Sequence, residues 1–314
     1  MRARAADYPR RMPELFPGFT VHDLETRGAR IHARAGGSGP PVLLLHGYPQ
    51  THAIWHRVAG PLAARFSVVA ADLRGYGDSG KPPSAPDHAP YSKRAMAQDL
   101  VEAMGLLGFE SFHVVGHDRG ARVGHRLSVD HAARARSLTV LDIAPTLAMY
   151  EQTDMDFARA YYHWFFLIQP EPLPERLIGA DPGFFLREKL RGWSQGRWPF
   201  EAAAFAEYLR CFEDPATIHA SCEDYRAAAT IDLEHDRADR DAGRRVRCPV
   251  LASWGERGTV HRCFRPLEEW RRVADGDVGG GPLPSGHYLP EEVPELLLRE
   301  LLPFLERAET APRA

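Results

Sequence analysis

Residues 114–125 read VVGHDRGARVGH. The end of a buried strand runs into a tight glycine-framed turn and then into a helix, and the apex of the turn is an acid, Asp118, with Arg119 and Arg122 directly behind it. A carboxylate held at such an apex can displace a leaving group from saturated carbon and become an ester. A serine in its place would give an ether that water does not cleave, so this chemistry requires the acid. Arg119 and Arg122 are three residues apart, hence neighbours on one helix face, and can pair with a substrate carboxylate in bidentate fashion. That pairing offsets the repulsion between an anionic substrate and an anionic nucleophile. Taken alone, an arginine pair at a helix start is commonly a solvated or salt-bridged face.

The acid needs partners. Gly116-His117-Asp118-Arg119-Gly120 has the form of the nucleophile turn of α/β-hydrolases, with Asp for Ser. LLLHGYPQT (43–51) has the form of the oxyanion loop of that fold, which assigns the backbone N–H groups of Tyr48 and Arg119 to a developing oxyanion. His46 reads as a structural residue beneath that loop. Among 15 histidines, His287 in PSGHYLPEE has the position of a general base, after the last strand. Two carboxylates compete to orient it: Glu256, in the loop after VLASWGE, and Asp142, ending SLTVLD; Asp142 is preferred. Ser79 in DLRGYGDSGKP is framed by glycines but follows a different strand, and reads as a structural loop residue.

The elements that must position these residues alternate. FTVHDLET and ARIHARAG suggest a hairpin; PVLLLHG, SVVAADLRG, SFHVVGHD, SLTVLDIAP and CPVLASWGE are short apolar runs typical of buried strands, with a further short strand around DVGGGPL. Helical patterns fall between them at AIWHRVAGPLAARF, SKRAMAQDLVEAMGLLGF, RGARVGHRLSVDHAARA, FRPLEEWRRVA and EEVPELLLRELLPFLERA. This alternation predicts an α/β fold with a mainly parallel sheet. From about 145 to 245 no convincing strand occurs, and the segment is rich in aromatics and proline. We therefore expect three parts: an α/β core over 1–145, an inserted helical cap over 146–245, and the rest of the core over 246–314. In such sheets ligands bind at the carboxyl ends of strands, where Asp118, Asp142 and SGHYLP all fall.

Composition narrows the function classes. Hydrophobic residues are 44% and charged residues 26%, ordinary for a soluble globular chain. A net charge of -3 implies no bulk attraction to nucleic acid or to an anionic membrane. No apolar stretch approaches the roughly 18 residues that span a bilayer. The opening MRARAADYPRRMPELFPGF is basic but lacks an apolar core, which argues against secretion. Four scattered cysteines, 211, 222, 248 and 263, suggest neither a metal site nor a disulfide framework, and fit a reducing cytoplasm. No cofactor and no metal is expected.

Over nearly its whole length the chain resembles the haloacetate dehalogenases, and among them the fluoroacetate dehalogenases, of the α/β-hydrolase superfamily. The likeness is carried by LLLHGYPQT, DLRGYGDSGKP, GHDRGARVGHR, LDIAPT, YHWFFLIQPEPLPERLIGADP, CEDYRA, DLEHD and SGHYLPEE. It implies Asp118 as nucleophile, Asp142 as acid, His287 as base, and Arg119 and Arg122 as the grip on the substrate carboxylate. It further implies that His163, Trp164 and Tyr225 hold the halide, that the substrate is a small haloacid, and that the protein is a homodimer. WGERGTVHRCF is more charged than that family's pattern, a difference that bears on the substrate entrance.

Epoxide hydrolase is the main rival, with the same Asp-Asp-His machinery and with cap tyrosines (Tyr150, Tyr161, Tyr162 and Tyr225) to protonate the epoxide oxygen. It has no evident use for the arginine pair. A haloalkane dehalogenase has none either, its substrate being neutral. A binding-only receptor on the same scaffold fits poorly with a complete set of nucleophile, base, acid and oxyanion loop.

Overall fold

The computed structural model describes residues 14–310. Most of the basic opening segment and the last four residues lie outside that range. Eight strands form one sheet: β1 (Thr20–Glu25), β2 (Arg30–Gly36), β3 (Pro41–Leu45), β4 (Ser67–Ala71), β5 (Phe112–His117), β6 (Ala135–Leu141), β7 (Val250–Gly255) and β8 (Val278–Leu283). Their spatial order is β1-β2-β4-β3-β5-β6-β7-β8. The first hairpin is antiparallel and meets β4 antiparallel; every later pairing is parallel. The sheet is thus mainly parallel, as the alternation of strand and helix patterns predicts.

The apolar strand runs are explained by burial on both faces. In β3, Leu43 and Leu45 pack into one core while Val42 and Leu44 pack into the other, the period-2 consequence of a pleated strand. The helix Arg119–Asp130 covers one face, with its first ten residues buried. The helix Pro294–Thr310 packs Leu297, Leu301 and Leu305 on the other.

Two helical expectations need correction. AIWHRVAGPLAARF is not one helix but a 3-10 turn, His52–Trp55, and a five-residue helix, Ala59–Ala63. Trp55 and Ile54 are drawn fully into the core there, so packing rather than helix periodicity sets the local path. EEVPELLLRELLPFLERA divides at Val293: a short helix, Leu289–Glu292, precedes the long one, because Pro294 opens a helix more readily than it continues one.

Between β6 and β7 the chain forms helices only, from Thr146 to Asp241. They close over the carboxyl ends of β3 and β5. Strand order reverses there, with β4 on one side of β3 and β5 on the other. A crevice at such a switch point is where an open α/β sheet receives a ligand.

Candidate active site

Asp118 follows β5 with φ +47° and ψ −113°, a backbone conformation that L-residues rarely adopt. Glycines make the turn possible. A side chain at Gly116 would lie 2.5 Å from the backbone of Ala121, so only glycine lets the helix start this close to the strand. A Cβ at Gly47 would lie 2.4 Å from that of Asp118, so the Tyr48 loop approaches the acid only without one. The result is a hydrogen bond of 3.0 Å from the Tyr48 backbone N–H to Asp118 Oδ1.

Asp142 follows β6 and also has positive φ, +54°. Its Oδ1 accepts from the Gly255 N–H at 3.0 Å, and its Oδ2 lies 2.6 Å from His287 Nδ1. That contact puts the Nδ1 proton of His287 toward Asp142 and leaves Nε2 for chemistry. Glu256, the competing acid, is exposed on the loop beyond β7. Ser79 donates to the Asp72 carbonyl at 2.7 Å and accepts from His32 N, a turn-pinning role. His46 Nε2 accepts the Leu73 N–H at 3.0 Å, fixing the base of the Tyr48 loop.

The nine residues singled out for chemistry are each no more than 4% exposed, so their charges act in a desolvated space. His163 and Trp164 open the helix His163–Leu167, and Tyr225 lies on the helix Pro215–Ala229. Their rings face the core side. Tyr48 packs edge-on against Tyr225 at 5.3 Å, and His163 against Tyr225 at 5.5 Å. The Arg119 guanidinium lies 4.1 Å from the Tyr225 ring centre, and that of Arg122 lies 4.8 Å from Trp164. Nucleophile turn and cap are thereby joined through cation–π contacts.

The arginines differ from expectation in one respect. Arg119 does not have a free fork: its Nε and Nη2 both bind Asp224, at 2.8 and 2.7 Å, leaving Nη1 without a partner. Arg122 gives Nη1 to Thr146 Oγ1 at 2.9 Å and leaves Nε unpartnered. A buried guanidinium needs a compensating charge, and Asp224 supplies it for Arg119. Each arginine therefore leaves one nitrogen unpartnered, Nη1 of Arg119 and Nε of Arg122, and the two together can grip a carboxylate.

Other buried donors in this cluster are also without partners: Trp164 Nε1 and the hydroxyls of Tyr48, Tyr150 and Tyr225. Buried polar atoms are rarely left so. Burial, with the charge of nearby Lys189, holds His163 well below the usual histidine range, so it is neutral. Burial also opposes charge on His287 and Asp118, yet it is outweighed at both. The hydrogen bond and charge of Asp142, with the charge of Asp118, raise His287; the charges of His287, Arg122 and Arg119 lower Asp118.

A cleft of ≈ 510 Å³ leads in from solvent and ends on Tyr161, Trp193 and His287. Arg159 and Arg262 stand at its exposed rim, the second of them from the charged stretch WGERGTVHRCF. Among the described residues, His32, His52 and Asp72 are the group whose atoms converge closely enough to suggest a metal. The Asp72 carboxylate there already accepts from His52 N, His52 Nδ1 and Asp78 N.

Sequence reasoning missed Asp224, which orients Arg119, and Thr146, which orients Arg122. Asp224 stood in plain view beside Tyr225 in CEDYRA, but nothing local ties it to residue 119.

A family model described as alpha/beta hydrolase fold matches residues 40–260. The chain belongs to the α/β-hydrolase fold family. It is 48% identical to a fluoroacetate dehalogenase from Burkholderia sp, over 94% of this chain and 97% of that one. It is 33% identical to a soluble epoxide hydrolase from Corynebacterium sp. (strain C12), over 91% and 97%. A solved structure of a provisionally assigned α/β hydrolase from Nostoc sp PCC 7120 superposes with TM-score 0.89 at 57% identity, over 91% and 98%. Within this family the Asp118 turn, the Tyr48 loop and the His287 loop occupy the ends of β5, β3 and β8. No helix among the described residues is long and apolar enough to cross a membrane.

Proposed function

We propose that this α/β hydrolase dehalogenates haloacetates, giving glycolate and halide. The observation that carries the reading is a buried acid at a strained turn with one unpartnered guanidinium nitrogen from each of two arginines beside it. The relatives include a fluoroacetate dehalogenase and epoxide hydrolases; the arginine pair favours an anionic substrate. Assembly as a homodimer belongs to the same reading and rests on the family resemblance; a cytoplasmic location rests on the four scattered cysteines.

In this reading the substrate carboxylate bridges Arg119 Nη1 and Arg122 Nε, and Asp118 displaces halide toward Trp164, His163 and Tyr225. The product is an ester of Asp118. Water deprotonated by His287 then attacks the ester carbonyl, and the N–H groups of Tyr48 and Arg119 hold the oxyanion. Esterification has a useful electrostatic consequence. The Asp118 charge is one cause of the raised His287 pKa. Once Asp118 is an ester that charge is gone, so His287 becomes easier to deprotonate in the step where it acts as base.

The pH profile follows. His287 must be neutral to accept a proton, and its pKa is raised above 6.5. Turnover is expected to rise with pH through a limb set by His287 in the ester, lower than its pKa beside ionised Asp118, while alkylation of Asp118, whose pKa is lowered, continues below it. Quenched samples at low pH should accumulate the ester; a limb that falls with rising pH contradicts His287 as base.

The direct test is halide release from fluoroacetate and chloroacetate, side by side. Trp164→Phe keeps the ring over Arg122 and removes the N–H. Fluoride loses the strongest hydration of the halides, so its departure depends most on directed donors, each contributing on the order of 3 kcal/mol. We expect the variant to lose much more fluoroacetate than chloroacetate turnover, provided the wild type cleaves fluoroacetate. Equal losses, or none, assign Trp164 to cap packing.

A further inference from the structure

Halide donors and proton donors are not the same. A departing halide needs only N–H and O–H groups directed at it. A departing alkoxide must also be given a proton, which a phenol can supply and a neutral indole cannot at ordinary pH. The cluster holds phenols beyond what a halide requires: the hydroxyls of Tyr225, whose ring lies 5.3 Å from that of Tyr48, and of Tyr150, whose ring lies 4.7 Å from that of Trp164, are both buried and unpartnered. Tyr225 is the better placed to lose a proton, because the Arg119 guanidinium 4.1 Å from its ring centre stabilises the phenolate. Burial and the Asp118 charge hold its hydroxyl protonated until then, with Arg119 opposing. Arg119 itself is kept charged and fixed by Asp224.

From the pairing of unpartnered phenols with two carboxylate-directed arginines, we propose that the same site hydrolyses 2,3-epoxy carboxylates, opening the ring at the α-carbon. This rests on the carboxylate-binding reading above. In oxirane-2-carboxylate the epoxide oxygen is bonded to the α-carbon, as the halogen is in a haloacetate, so Arg119 and Arg122 present both substrates to Asp118 in the same line. An Asp118 oxygen bonds to the α-carbon and the α-carbon–oxygen bond breaks. The oxygen keeps its bond to the β-carbon and takes the Tyr225 proton. Water, losing a proton to His287, then adds to the Asp118 carboxyl carbon. The bond from that carbon to the ester oxygen breaks, and the leaving 2-oxygen takes the proton from His287. Asp118 regains a carboxyl group carrying the water oxygen, and its proton restores Tyr225. One water is consumed and glycerate is released.

The experiment follows chloride from chloroacetate and glycerate from racemic oxirane-2-carboxylate in ¹⁸O-water, with 1,2-epoxypropane as a ring lacking the carboxylate. The wild type should turn over both acids over many cycles, place the label in the 2-hydroxyl of glycerate, and leave 1,2-epoxypropane at least about 100-fold slower. Tyr225→Phe should lose about 100-fold more turnover on the epoxy acid than on chloroacetate, as expected for removing a general acid; a wild-type circular dichroism spectrum and melting temperature report that it folds. Chloride without glycerate overturns the inference and leaves the haloacetate reading standing; neither product overturns both. Label in the 3-hydroxyl, equal use of 1,2-epoxypropane, or equal losses on the two acids in Tyr225→Phe also overturns it.

Discussion

His287→Asn protein exposed to chloroacetate will carry one carboxymethyl group on Asp118 and will release almost no glycolate. The two half-reactions use different groups, which is why they separate. Displacement needs the ionised Asp118, and its pKa is lowered by Arg122 and Arg119 as well as by His287, so removing the histidine still leaves two positive charges beside it. Hydrolysis needs a base within reach of water at the ester. The other histidine packed nearby, His117, donates its Nε2 proton to the His287 carbonyl at 2.8 Å, and burial and the His287 charge push its pKa down to about 3. It is too weak a base to substitute. Loss of a general base costs on the order of 10²–10⁴ in rate. Intact-protein mass spectrometry, then peptide mapping, is the measurement. An unmodified Asp118 in a variant that still binds chloroacetate would falsify the covalent route.

Arg122→Ala is expected to lower kcat/KM on haloacetates by roughly 2–5 kcal/mol, on the order of 30-fold to several thousand-fold. Two effects add. The free Nε of Arg122 is lost, and so is the guanidinium 4.8 Å from the Trp164 ring centre. Arg119→Lys should also be poor, for a reason the geometry makes specific. Asp224 takes two N–H groups of Arg119, at 2.8 and 2.7 Å, and a lysine that meets Asp224 has no second planar arm to hold toward substrate. Normal kinetics on haloacetates in both variants would remove the carboxylate grip and revive the epoxide reading with neutral substrates.

Much of the architecture was legible in the sequence because its causes are local. A strand buried on both faces must be a short apolar run, so β3 to β7 announce themselves in PVLLL, SVVAA, FHVVGH, ARSLTVL and VLASWG. Gly116 and Gly47 stand where a Cβ would collide, so the turn and its loop are written in residue types. Asp rather than Ser at the apex of the turn is likewise read directly from the residue type. The helical stretch from Thr146 to Asp241 was visible as the place where strand patterns cease.

Other features depended on contacts between residues far apart in the chain. Whether Asp142 or Glu256 faces His287 could not be read from spacing, since both follow strands; the fold puts Asp142 Oδ2 2.6 Å from Nδ1 and leaves Glu256 in solvent. The arginines were visible, but not what each has left to offer, because Asp224 lies 105 positions from Arg119 and Thr146 lies 24 from Arg122. The AIWHRVAG segment follows the demand of the core for Trp55 rather than its own helical period. Residue types and short-range sterics determine which chemistry a chain can attempt. Which N–H, which carboxylate oxygen and which phenol remain free to perform it is decided by desolvation, since a buried charge or donor takes whatever partner the closed tertiary structure brings within about 3 Å.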